Sequence, residues 1–259
     1  MKLIQHIALA FSLTVAAAHG VAQAGPITFN ESTCAYGSAT AASVTCTTKV
    51  SNVNYTAAAT AWSAPTGGNF AAASLGYYAG SGLGISETGS NPHHAADNNG
   101  RTDAFLINFG APNFALNQIS IGWFDGDADV SILRYTGAGA PASLASNRVN
   151  TLDLAPGWDW VGDYSTLSTN STLNFNTGAG AKTGAWWLVS AYNSAYSTTP
   201  VSGVFGDGND YFKLNGFGGE LVAATPPVPP NKIPEPGSFA LFGIALVGFA
   251  AARRKWQAK

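Results

Sequence analysis

The sequence predicts an all-β body, an antiparallel β-sandwich of jelly-roll-like kind, on three observations. Apolar and polar residues alternate with period two along much of residues 25–224. Clusters of Gly, Pro, Asn and Asp interrupt that alternation at short intervals. No stretch of the body keeps an apolar period of 3.6 for more than two turns. The chain divides by composition into an N-terminal leader (1–24), the sandwich (25–224), a Pro-rich linker (225–233) and an apolar segment with a basic tail (234–259).

In chain order, the first expected strand runs from Val44 to Ala57. The Ala-rich pieces at Ala57–Ala61 and Ala71–Leu75 are expected as a helical turn or two, interrupted by Gly67-Gly68 and Gly76. Phe105, Ile107 and Phe109 share one side of the next strand, and Ile119, Ile121 and Trp123 one side of the strand after it. Val130, Ile132 and Arg134 oppose Ser131, Leu133 and Tyr135, and Leu173 with Phe175 alternates against Thr172 and Asn174. Arg148–Leu154, Ala185–Tyr192 and Asp210–Leu214 complete the expected set, with turns such as Gly110 to Asn113 and Gly137 to Pro141 between them.

Composition narrows the function classes. Charged residues make up only 10% of 259 residues, against roughly 25% in ordinary domains. Aromatics at 12% exclude charge-driven disorder. Between the chain ends lie seven of the twelve basic residues and all fourteen acidic ones, so the middle is net negative. That is the wrong sign for attracting phosphates, and no nucleic-acid partner is expected. Cys34 and Cys46 are the only cysteines. Export into an oxidising compartment favours their pairing as a disulfide, and the twelve-residue spacing is not that of a Cys-x-x-Cys metal or redox pair.

Both ends read as addresses. Met1-Lys2 precedes a mostly apolar run from Ile7 to Ala18, too short to span a bilayer, and small residues stand at Ala22 and Ala24. This predicts a secretory signal peptide cut by signal peptidase between Ala24 and Gly25. At the other end six prolines crowd into residues 226–236, followed by Pro234-Glu235-Pro236, an apolar stretch from Gly237 to Ala252, and Arg253-Arg254-Lys255. As a helix that stretch covers about 24 Å, near the lower limit for crossing a membrane. The basic cluster places the tail on the cytoplasmic side, which leaves the body outside and transiently anchored to the inner membrane.

Motif, apolar helix and basic cluster in this order resemble the PEP-CTERM sorting signal of bacterial proteins. The resemblance implies that an exosortase recognises Pro234-Glu235-Pro236, removes the helix and passes the body to the cell surface. It also implies a surface or extracellular-matrix component that associates with exopolysaccharide.

Within the body, Asp125, Asp127 and Asp129 stand at alternate positions, like the opening of an oxygen-rich Ca²⁺ loop. The glycine at loop position six and the glutamate at twelve are replaced by Val130 and Thr136, which excludes an EF-hand. Asp207 and Asp210 lie in a segment resembling one turn of a calcium-binding nonapeptide repeat, too little to stack into a β-helix. These five acids are the candidate ligands for weakly held Ca²⁺; no other cofactor is expected. Trp158 and Trp160, two apart on a strand, share a face and are the candidate carbohydrate platform. In the doublet Trp186-Trp187 only one ring can face the core. His93-His94 and Asp97 read as loop residues rather than a metal or catalytic set. No nucleophile elbow, zinc-protease motif or phosphate loop is present. The expectation is therefore a non-enzymatic surface protein, and the rival reading is a lectin-like module or a glycoside hydrolase, which needs only two suitably spaced carboxylates.

Overall fold

A computed structural model of the chain describes residues 25–36, 40–86, 94–165, 167–197, 205–206 and 208–223. By contacts the chain divides into Met1–Ala223 and Ala224–Lys259, and the described residues belong to the first unit. The signal-peptide and sorting-signal residues lie outside the described residues, as does Asp207.

Among the described residues fifteen strands carry the fold: β1 (Ile27–Asn30), β2 (Cys34–Ala35), β3 (Thr40–Ala41), β4 (Ser43–Val50), β5 (Val53–Pro65), β6 (Ala71–Tyr78), β7 (Gly82–Ser86), β8 (Ala96–Asp97), β9 (Arg101–Asn108), β10 (Phe114–Gly126), β11 (Val130–Tyr135), β12 (Trp158–Tyr164), β13 (Ser171–Asn174), β14 (Trp186–Ala191) and β15 (Asp210–Leu221). The expected all-β, antiparallel class holds for their ladders. Hydrogen bonding follows the path β12-β11-β14-β9-β5-β6-β7-β15-β10-β13. The first half of β6 pairs with β5 and the second half with β7, so this strand passes from one layer to the other.

The two layers meet across one core. Phe105, Ile107, Ile132 and Val189 from the β9–β11–β14 side pack in the same cluster as Ile119, Ile121, Phe212 and Leu214 from the β10–β15 side. Strand β9 is buried on both faces, because Ala104 and Leu106 point into a second cluster on the outer side of its layer. There short 3-10 turns at Leu144–Ser146, Val149–Leu154 and Ser194–Tyr196 cover the sheet with Leu144, Val149, Leu152 and Tyr196.

Four expectations are corrected. Trp123 does not share the side of Ile119 and Ile121: an extra residue at Gly122 shifts the register against β15, so Ile121 pairs with core-facing Leu214 while Trp123 pairs with Lys213 on the outer face. Val44–Ala57 is not one strand: Ser51 and Asn52, both at positive φ, make a two-residue turn that folds β4 back on β5. Arg148–Leu154 is 3-10 rather than strand; Val149 and Leu152, three apart, bury one side onto the outer cluster. Ala57–Ala61 and Ala71–Leu75 are strands, since Ala57, Ala59 and Ala61 alternate into the core, where packing overrides the helix propensity of alanine. Strand β15 also runs on past Leu214. A Cβ at Gly219 would sit 1.9 Å from the Ala115 carbonyl oxygen, so this position accepts only glycine against β10.

Cys34 and Cys46 face each other across β2 and β4 and form the expected disulfide. Its Cys46 end is fully buried in the main core.

Candidate functional sites

The aromatic face of the β12–β11–β14–β9–β5 layer is set by register. Tyr135 lies between Trp158 and Trp186, and Leu133 between Trp160 and Leu188, so all these side chains share the outer side. Trp158 and Trp160 do point the same way, as their spacing predicts, but Trp158 is buried against Tyr135, with ring centroids 5.5 Å apart. Only Trp160 of the pair remains half-exposed. It is joined at the rim of the outer cluster by Trp62, Tyr135 and Trp186. Strand spacings of about 4.8 Å and a rise of about 3.3 Å per residue put Trp160 and Trp186 roughly 12 Å apart.

Polar groups fix this rim. The Trp62 indole N–H donates to Thr60 Oγ1 at 3.0 Å, and that of Trp160 to Asp163 Oδ1 at 3.2 Å. Asp163 also accepts from Ser131, but burial outweighs both bonds and raises its pKa. Beside it Arg134 Nε donates to Asp159 Oδ2 at 2.8 Å, and Lys182 Nζ lies 3.3 Å from the same oxygen. Burial would push the Asp159 carboxyl up; the Arg134 bond and the Lys182 charge outweigh it and hold the group below its ordinary value. Lys182 also donates to the Trp160 carbonyl at 2.5 Å, tying the pair to the rim. Trp187 is the buried member of its doublet and donates to the Gly184 carbonyl at 2.9 Å.

The second candidate is the carboxylate group. Of the five predicted acids, Asp127, Asp129 and Asp210 come together, with oxygens within 4.8 Å of one another; Asp125 is not part of the group. The β10–β11 turn delivers Asp127 and Asp129, and β15 begins with Asp210. Asp129 N donates to Asp210 Oδ1 at 2.8 Å. Asn98, which the sequence reading passed over, clamps the other side: its Oδ1 accepts from Gly208 N at 2.9 Å and Asp210 N at 3.0 Å, and its amide donates to the Asp210 carboxylate. Asp129 and Asp210 are fully buried. Burial, with the charges of Asp129 and Asp127, pushes Asp210 up to about 8 against these bonds. Three oxygens so placed can share one proton or one small hard cation.

Two further places bear on the rival hydrolase reading. A cleft of about 310 Å³ lined by Phe29, Tyr55, Phe109, Phe114 and Leu221 has no carboxylate among its lining residues. His94 stacks on Tyr78 and faces Ser86 Oγ at 3.2 Å, while Asp97 accepts from Asn99 N. His94 and Asp97 are thus engaged separately; His94 precedes the strand, whereas Asp97, expected as a loop residue, is a buried member of β8 paired with Tyr211 of β15, and His93 lies outside the described residues.

Comparison with known families settles the C-terminal segment. Residues 232–255 match the family described as the PEP-CTERM protein-sorting motif. The chain carries a PEP-CTERM sorting motif. The match includes Pro234, Glu235, Pro236, Arg253, Arg254 and Lys255, and it implies exosortase processing with sorting towards the surface. No curated protein matches the chain. Among the described residues no helix is long and apolar enough to cross a membrane; Gly237–Ala252 lies outside them.

Proposed function

We propose that this PEP-CTERM chain is a non-enzymatic component of the bacterial cell surface or extracellular matrix. Its signal peptide is removed after Ala24, its apolar C-terminal segment holds it briefly in the inner membrane, and an exosortase cuts near Pro234-Glu235-Pro236. The sorting motif at 232–255 carries this reading. The body, a jelly-roll-like sandwich, then contacts exopolysaccharide through the half-exposed rings of Trp62, Tyr135, Trp160 and Trp186. Flat rings at the edge of a rigid sheet suit the apolar faces of sugars, and spacing of the kind estimated for Trp160 and Trp186 lets one glycan chain touch more than one ring.

Replacing Pro234, Glu235 and Pro236 by alanine in the native host is expected to leave uncut protein in the inner membrane. Unchanged release rejects the reading.

The rival of a matrix glycoside hydrolase finds less support. Its carboxylates must reach a glycosidic bond. The tightest carboxylate group places two of three members out of solvent contact. Hydrolysis of a host polysaccharide, abolished by one acid-to-amide change, favours the hydrolase; glycan binding without turnover, lost on Trp160→Ala, favours the binding protein.

A further inference from the structure

We infer that Lys213, held between Trp123 and Tyr78 on the outer side of the β7–β15–β10 layer, anchors a binding site for a carboxylate-bearing sugar, such as a hexuronic acid unit of an acidic polysaccharide. This rests on the polysaccharide reading above and names the chemistry of the ligand at a different face.

Along β15, Phe212 and Leu214 enter the core, so the side chain between them points away from it. Lysine at such a position normally reaches solvent, yet Lys213 is only 6% exposed. Its Nζ lies 3.7 Å from the ring centroid of Trp123, its direct cross-strand neighbour, and 4.9 Å from that of Tyr78. Among the described residues no carboxylate forms an ion pair with it; Asp159 takes Arg134 and Lys182 instead.

Withdrawing an ammonium from water is costly, and contact with ring faces offsets only part of that cost. Two faces also meet only part of a group with three donors. Burial accordingly lowers the pKa of Lys213. An anion is the partner that this ammonium, with a donor left over between two rings, is suited to take.

The cradle is built rather than incidental. Tyr78 lies over Gly76, where a Cβ would come within 2.7 Å of its ring, and stacks on His94 at 6.1 Å. Trp123 and Tyr78 are both half-exposed. They therefore offer apolar ring surface to a sugar while the ammonium between them takes its carboxylate. A charge-assisted contact of this kind is worth roughly tenfold to a hundredfold in affinity.

The test is calorimetric titration of the full chain in mild detergent with hexuronic acid oligomers and with the same oligomers after carboxyl reduction to neutral sugars. The acidic form is expected to bind tighter by roughly tenfold to a hundredfold. Lys213→Met should abolish that gap while preserving the thermal midpoint, since it removes a desolvated charge and keeps the volume; Lys213→Gln serves if the Met variant does not fold. Equal affinity for both oligomers, or a gap that survives both Lys213 variants, overturns the inference. Neutral binding that depends on Trp160 keeps the broader reading alone, and binding of neither oligomer overturns the glycan assignment as well.

Discussion

Raising the pH from about 5 to about 8 without divalent cations should weaken the fold, and the buried carboxyl of Asp210 sets the sign and size. Its ordinary value is 3.8, and in the folded chain it rises to about 8. Between these values the unfolded chain has released the proton and the folded chain still holds it, so stability falls with pH. The contribution is fully present below 3.8 and lost as pH rises through about 8. One such proton gives a slope of about 1.4 kcal/mol per pH unit, and the whole window is worth on the order of 5 kcal/mol. Asp153 and Asp163, both raised by burial, add in the same direction. Asp159 is lowered, so its contribution is lost only as pH falls through its folded value, below the window. Urea denaturation of the full chain in detergent with a chelator, at several pH values, measures the slope. Asp210→Asn has no proton to release and should be flatter by about 1.4 kcal/mol per pH unit, whatever its absolute stability. Parallel slopes for the two proteins would refute the account of the carboxylate group.

Calcium should compete with that proton: added Ca²⁺ is expected to raise the melting temperature more at alkaline than at acidic pH, and Asp127→Asn should remove the effect. An equal rise in the variant contradicts this. Reducing the Cys34–Cys46 bond, which closes a separation of 12 residues, should cost about 3 kcal/mol and lower the melting temperature by about 6–12 °C in calorimetry. Gly219→Ala should cost about 1–3 kcal/mol or prevent folding because its new methyl meets the Ala115 backbone, whereas Gly180→Ala, with open space around it, should be close to neutral by denaturant titration.

Where alternation was uninterrupted, the strands could be read directly: Phe105 and Ile107, and Val130 and Ile132, enter the core as their spacing requires. The misses came where local signals pointed elsewhere. Ser51-Asn52 carries no glycine, so a turn that depends on positive φ went unmarked. The alanines of β5 read as helix formers until a facing sheet buried them, and β15 was expected to end at Leu214 although it continues through Gly216, Gly218 and Gly219, the last of which close approach to β10 demands. The aromatic site was half legible. Two-residue spacing correctly paired Trp158 with Trp160, but only the 3-10 cover decides which ring is buried. Trp62 was missed because its strand was not recognised. Asn98 and Lys213 gave no linear signal at all, since their meaning comes from partners across the sheet, Asp210 and Trp123.

The intact mass of protein recovered from the culture medium and cell surface tests the central claim most directly. The account predicts a chain that starts at Gly25 and has lost the apolar segment with Arg253, Arg254 and Lys255. Released protein that retains those three residues would contradict it.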